Sequence, residues 1–234
     1  TQKTLKLVLV EPAGTINIGS VARLCENFGV NELRLVSPRC DPMNSETLKM
    51  AVHGKGFLKN ASIFSNLLDA IKDCKRVIAT CGRIDHGAIP LQSSNSALKW
   101  LIGTQSQNPV TIVSGREDRG LTKAELQMAH KVIKLETSHK YPSLNLSHAV
   151  AIVLHELHSY KKESFKEEPI KDFDPATPKE LNECIEDAKN LLLEIGFLHT
   201  HTANARMAKI KGLLHRAEAR SEDLALIRGV LRQT

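Results

Sequence analysis

The sequence predicts an α/β domain, a largely parallel sheet with helices on both faces, followed by a C-terminal helical extension. Three observations carry this. Short apolar runs recur along residues 1–160 with helix-period segments between them. A charged stretch with three prolines, "KKESFKEEPIKDFDPATP" (161–178), interrupts that alternation. Beyond it only helical patterns remain.

The first strand is "LKLVLV" (5–10), and the helix at about 17–28 after it is stopped by Gly29. "LRLV" (33–36) follows, then an irregular stretch and a helix near 61–72. "RVIAT" (76–80) precedes a helix near 94–102. "VTIVS" (110–114) leads to a helix starting near Thr122, a good N-cap with Glu125 at the capping-box position. "KVIKL" (131–135) leads through a loop to a helix from about 146 to 160. The charged stretch reads as a linker, which gives a domain over 1–160, a linker over 161–177 and an extension over 178–234. Thr177, Pro178 and Glu180 are a strong helix start, and Gly196 ends that helix. Helices near 203–217 and 222–232 complete the chain, the last one capped by Ser221. Pieces this small need a surface to pack on, either the main domain or a second subunit.

The 234 residues carry a net charge of +6, with a pI of about 9.1. Residues 1–160 hold 19 Lys and Arg against 13 Asp and Glu, and residues 161–234 hold 13 of each. The segment "RMAKIKGLLHRAEAR" nevertheless gathers Arg206, Lys209, Lys211, Arg216 and Arg220 against Glu218 alone. A polyanionic partner, nucleic acid above all, is the expectation. No apolar run is long enough to span a membrane, and no signal-peptide core is evident, so the expected location is the cytoplasm. Five scattered cysteines without a C-x-x-C pair argue against a disulfide framework and against zinc. His155 and His158 lie one turn apart but lack an H-E-x-x-H pattern, so no metal is expected.

In open parallel sheets ligands bind beyond the carboxyl ends of strands. Three loops in that position are unusual: "EPAGTINIGSVAR", "SGREDRGL" and "YPSLNLSHA". In the first, Arg23 lies off the apolar stripe of its helix, four residues after Gly19 and three after Ser20. It either pairs with Glu26 or leans back toward the helix start to hold an anion. In the second, Gly115 and Gly120 bracket four charged residues, where glycine permits close approach by a ligand. In the third, Ser143 or Asn145 caps the next helix, whose free N–H groups suit a carboxylate. G-x-G-x-x-G, Walker A and G-x-S-x-G fingerprints are all missing.

Taken together and in this order, the three loops resemble motifs 1, 2 and 3 of the SPOUT superfamily of RNA methyltransferases, in its TrmH-like branch. The tail resembles the helical extension of the TrmJ-type tRNA 2′-O-methyltransferases. The resemblance implies a trefoil-knotted α/β domain, S-adenosylmethionine as cofactor, and a homodimer whose active sites lie at the subunit interface. The cofactor pocket it implies comprises Thr80, Cys81, Gly82, Gly115, Leu135, Pro142, Ser143, Leu144 and Asn145. The family often has Ser-Ala where Cys81–Gly82 stand, and Ser in place of Pro142, which brings no backbone donor. Arg23 is implied as the principal catalytic residue, supported by Asn17, Glu117, Ser143 and Asn145. Arg23, Arg206, Lys209, Lys211, Arg216 and Arg220 are implied to contact RNA. The implied substrate is tRNA, at the pyrimidine opening the anticodon loop (position 32). Ribosomal RNA, or an inactive RNA-binding role on the same scaffold, are the alternatives.

Overall fold

A computed structural model describes residues 4–82, 90–104, 106–138, 140, 143–163 and 174–233. Its frame is a parallel seven-stranded sheet in the order β3-β2-β1-β6-β4-β7-β5. The strands are β1 (Leu5–Val10), β2 (Glu32–Val36), β3 (Ser62–Phe64), β4 (Arg76–Thr80), β5 (Leu91–Gln92), β6 (Val110–Ser114) and β7 (Lys131–Ile133). Side chains alternate between faces with a period of two, so each strand feeds two cores. Leu5, Leu7 and Leu9 of β1 face one apolar cluster, and Val8 and Val10 face the other.

The first cluster is covered by α1 (Thr15–Phe28), α5 (Ser94–Ile102) and α7 (Leu146–Glu163), through residues such as Ile18, Leu98 and Val153. The second is covered by α4 (Leu67–Ile71) and α6 (Lys123–Leu126). Between β2 and β3 the chain forms α2 (Ser45–Ala51), a 3₁₀ turn (Val52–Gly54) and α3 (Lys55–Lys59), all packed on α1. The expected helix near 61–72 is instead an edge strand, β3, plus the short α4. Asn66 separates the two, its side chain capping α4 by accepting from Asp69 N–H. Strand β7 ends at Ile133, two residues before the sequence pattern.

The extension comprises α8 (Pro178–Glu194), α9 (Thr200–Arg216) and α10 (Ser221–Gln233), with an apolar cluster of their own around Leu181, Ile185, Met207 and Leu224. It packs on the main domain within the same chain. His215 Nε2 lies 2.6 Å from Gln127 O, and His130 Nε2 lies 2.8 Å from Ala176 O. Arg76, fully buried at the start of β4, bonds Asp174 at 2.6 Å, and Thr104 donates to the same carboxylate. The guanidinium of Arg76 and the ammonium of Lys131 each sit 4.6 Å from the ring centroid of Trp100. Burial pushes His130 and His215 down to about 4.

Candidate active site

The carboxyl ends of β4, β6 and β7 open into a cleft of about 250 Å³. Residues 80–82 form one wall, Gly115–Gly120 another, and Leu135, Ser143, Leu144, Leu146 and Ala149 the third. The structure thus brings together Thr80, Cys81, Gly82, Gly115, Leu135, Ser143 and Leu144 from the expected cofactor set, with Glu117 beside them. Pro142 lies outside the described residues. Thr80 Oγ1 donates to Ser114 Oγ at 3.1 Å, and Cys81 N–H to Ile133 O at 2.9 Å, so three strand ends are tied together.

Gly115 is glycine for a reason other than ligand approach. A Cβ there would lie 2.3 Å from Gly120 C and 2.4 Å from Leu121 N, because the loop folds back on itself. Gly120, at φ 65°, closes that turn by donating to Arg116 O at 2.7 Å.

Glu117 joins the second loop to the first. Its carboxylate accepts from the N–H groups of Ala13 and Gly14 and from Asn17 Nδ2, each at 3.0 Å. Helix α1 has Gly14 at its N-cap and no capping side chain of its own, so Glu117 supplies one from a hundred residues away. Burial works to raise the Glu117 pKa, but the bonds from Ala13, Asn17 and Gly14 outweigh it and hold the carboxyl below its usual range. The anion expected at this helix start is therefore the protein's own carboxylate.

Sequence reading gave no weight to Glu11. This residue follows β1 at φ 49°, and its Oε2 accepts from Arg39 at 3.1 Å, Arg116 at 3.3 Å and Arg119 at 2.8 Å. The Arg119 hydrogen bond is foremost in lowering the Glu11 pKa. Arg116 also pairs with Asp118, and Arg119 with Glu125. Both cleft-lining guanidiniums are thus matched by acids. The signal available in the sequence was the two arginines of "SGREDRGL", which needed a carboxylate from a neighbouring strand end.

Asn145 rather than Ser143 caps α7: its Oδ1 accepts from Ser147 N–H at 2.9 Å and from Ser147 Oγ at 2.8 Å. Ser143 is exposed at the cleft edge. Asn145 is not among the cleft-lining residues.

Arg23 is exposed and does not line the cleft of its own chain. It stands eight residues beyond the start of α1, roughly 12 Å along the axis. Among the described residues it has no ion pair, so pairing with Glu26 is not observed. The surface at Gly19 is not cleared for it either. Gly19 is buried under α2, and a Cβ there would lie 2.5 Å from Thr47 O, so its smallness serves helix packing. Arg206, Lys209, Arg216 and Arg220 are exposed on the extension. Lys211 is set apart: it is half-buried, and desolvation lowers its pKa against the pull of Glu186. His155 and His158 both pack edge-on against Phe28.

Comparison with known proteins agrees with this geometry. Residues 4–155 match the SpoU rRNA Methylase family. The tRNA (cytidine/uridine-2′-O-)-methyltransferase TrmJ of Sodalis glossinidius is 30% identical over 229 residues, covering 97% of this chain and 89% of that one. The tRNA (cytidine-2′-O-)-methyltransferase TrmJ of Methanocaldococcus jannaschii is 37% identical over 161 residues, 67% of this chain and 68% of its own. The crystal structure of TrmJ from Z. mobilis ZM4 superposes with a TM-score of 0.83 at 28% identity, covering 100% of this chain and 99% of that one. With the parallel sheet, the three loops at its carboxyl ends and the helical extension all accounted for, the chain belongs to the SpoU rRNA methylase family.

Proposed function

We propose that this protein is a tRNA 2′-O-methyltransferase that uses S-adenosylmethionine, acting on the pyrimidine at position 32 of the anticodon loop. The observation that carries the reading is the cleft itself, built by the motif 2 and motif 3 loops and bolted through Glu117 to the helix that bears Arg23. The TrmJ relatives, named for cytidine and uridine 2′-O-methylation, support the substrate class.

The residues present fit the cofactor. Leu135, Leu144, Leu146 and Ala149 offer an apolar wall suited to a purine, and the main chain of residues 80–82 and 143–144 offers polar groups beside it. Arg116 and Arg119 are neutralised by Glu11, Asp118 and Glu125, so the cleft does not repel a sulfonium. When bound, S-adenosylmethionine supplies a methyl group already activated by positive sulfur.

The chain's own residues then handle the acceptor. Glu117 and Asn17 fix the start of α1. A guanidinium offers donors and no acceptor, so the task of Arg23 is to hold the phosphate next to the reacting ribose and to stabilise negative charge growing on O2′. The hydroxyl proton passes to that phosphate or to water. Asn145, by capping α7, sets the motif 3 loop with Ser143 at the cleft edge. Because Arg23 does not reach its own cleft, it serves the cleft of a second copy. Ile16, Ser20, Arg23 and Asn27 share one outward stripe of α1, with Ile16 51% exposed, and Ile152 of neighbouring α7 is exposed as well. This face is the homodimer contact in our reading. The trefoil knot, a cytoplasmic location and the division at 160 and 177 belong to the same reading. Among the described residues no helix is long and apolar enough to cross a membrane.

The test is methyl transfer from labelled S-adenosylmethionine to total tRNA and, separately, to ribosomal RNA, with the modified nucleoside located by mass spectrometry. We expect 2′-O-methylated pyrimidine in tRNA. We expect Arg23→Ala to lower turnover by about 1,000-fold, the loss typical of a removed oxyanion donor, while calorimetry shows unchanged cofactor binding. Modification of ribosomal RNA alone would instead favour the substrate named by the family, and near-normal turnover by Arg23→Ala would remove Arg23 from the mechanism.

A further inference from the structure

Away from the cleft, one surface carries cations that no acid answers. Between Glu46 and Asp69 the chain has Lys49, Lys55 and Lys59, together with His53, and no Asp or Glu. All four side chains are exposed. Several cations elsewhere are answered by acids: Lys6 and Arg34 by Glu32 and Asp73, Arg39 by Glu11, Arg76 by Asp174, Lys131 by Glu218, and Arg228 by Glu183 and Asp187. Among the described residues Lys49, Lys55, Lys59 and Arg23 have no ion pair. The flanking acids are Glu46, whose carboxylate accepts the Thr15 hydroxyl, and Glu26, exposed on α1.

The backbone fixes this patch to Arg23. Val52, at φ 50°, reverses the chain after α2 and turns the 3₁₀ segment onto α1. Gly54 is buried there so tightly that a Cβ would lie 2.3 Å from Ala22 O and 2.7 Å from Arg23 N. His53 and Lys55 flank Gly54, so both are anchored beside the Arg23 backbone. Lys55 and Lys59 are four residues apart on α3 and share a face. Lys49 lies in the last turn of α2, on the other side of the reversal.

We propose that Lys49, His53, Lys55 and Lys59 form a phosphate-binding surface continuous with Arg23, and that it takes the RNA strand on either side of the methylated ribose. The inference rests on the reading of Arg23 as the residue that meets the acceptor strand. A group of exposed cations without ion pairs suits a ligand that carries several negative charges, as an RNA strand does through its phosphates. The patch is locked to Arg23, so it accompanies that residue to whichever cleft it serves. The basic residues of α9 then hold a different part of the same folded RNA.

The experiment uses the full chain with Lys49, Lys55 and Lys59 all changed to Ala, and a second variant with all three changed to Arg. Binding of total tRNA is measured against salt, alongside KM, kcat, cofactor affinity and molecular mass. For the Ala variant we expect the slope of log K against log salt to be shallower by about 2, from roughly 0.7–0.9 per lost phosphate contact. The KM for tRNA should rise about 10-fold at physiological salt, with kcat, cofactor affinity and mass unchanged. The Arg variant should restore slope and KM. If the wild-type protein methylates tRNA and the Ala variant matches it in slope and KM, the surface is wrong and the proposed function stands. If the wild-type protein binds tRNA with a slope that depends on these lysines but transfers no methyl group, the function is wrong and the surface stands. A binding loss accompanied by a change in mass also overturns the surface.

Discussion

Helices α1 and α8 begin in opposite ways. At α8, Thr177 and Glu180 cap each other's backbone three residues apart: Thr177 Oγ1 accepts from Glu180 N–H, and Glu180 Oε2 accepts from Thr177 N–H at 2.7 Å. At α1 the N-cap is glycine, and the carboxylate that satisfies the helix start comes from Glu117 in the loop after β6. A local cap stabilises one helix. A distant cap makes the helix start depend on the correct placement of a second loop, so the α1 end that leads to Arg23 is set by the same residue that lines the cleft. The first helix of the extension uses the first device, and the helix that leads from the cleft to Arg23 uses the second.

The largest expected effect separates the two. Glu117→Ala removes three hydrogen bonds to a charged acceptor, so we expect a stability loss of about 2–3 kcal/mol in denaturant titration and a fall in turnover of about 100- to 1,000-fold. A Glu117→Ala enzyme with wild-type turnover would show that the α1 end needs no outside support. Next comes pH at the seam between domain and extension. His130 and His215 have folded-state pKa values near 4, below the usual 6.5. The unfolded chain therefore takes up protons first as pH drops, and stability present above about 6.5 is lost on the way to about 4. The loss is up to roughly 3 kcal/mol per histidine, read from thermal melts across that window. A His215→Gln protein should lose part of this pH dependence, and a melt indifferent to pH between 6.5 and 4 would contradict the seam geometry. The smallest effect is Thr177→Ala, expected to cost about 1 kcal/mol with turnover within about 2-fold of wild type. A large loss of turnover there would mean that the two helix starts do not differ as described.

The same contrast explains what was legible in the sequence. Thr177, Pro178 and Glu180 announce α8 within four residues, and β1, β4, β6 and α5 fall on their apolar patterns to the residue. The three loops were legible as motifs, and the structure gathers most of the expected pocket residues in one cleft. The region between β2 and β4 was not legible. Helices α2, α3 and α4 are five to seven residues long, and β3 is three, too short for a period to show. The meaning of Gly19, Gly54 and Gly115 was hidden as well, since each is small because of backbone brought in from elsewhere in the fold or from its own returning loop. Glu11 and Glu117 share the difficulty. Their partners lie up to about a hundred residues away, and no local pattern marks a carboxylate that will cap another element's helix or gather three guanidiniums.

The pair of cations at the Trp100 ring has a practical consequence. This is the chain's single tryptophan, it is buried, and Arg76 and Lys131 lie over its ring at the place where the extension docks. Indole emission responds to nearby charge and to water, so its wavelength is a built-in optical gauge of whether the three C-terminal helices are seated. Fluorescence can therefore follow their release and return in solution without a label, separately from any measurement of methyl transfer.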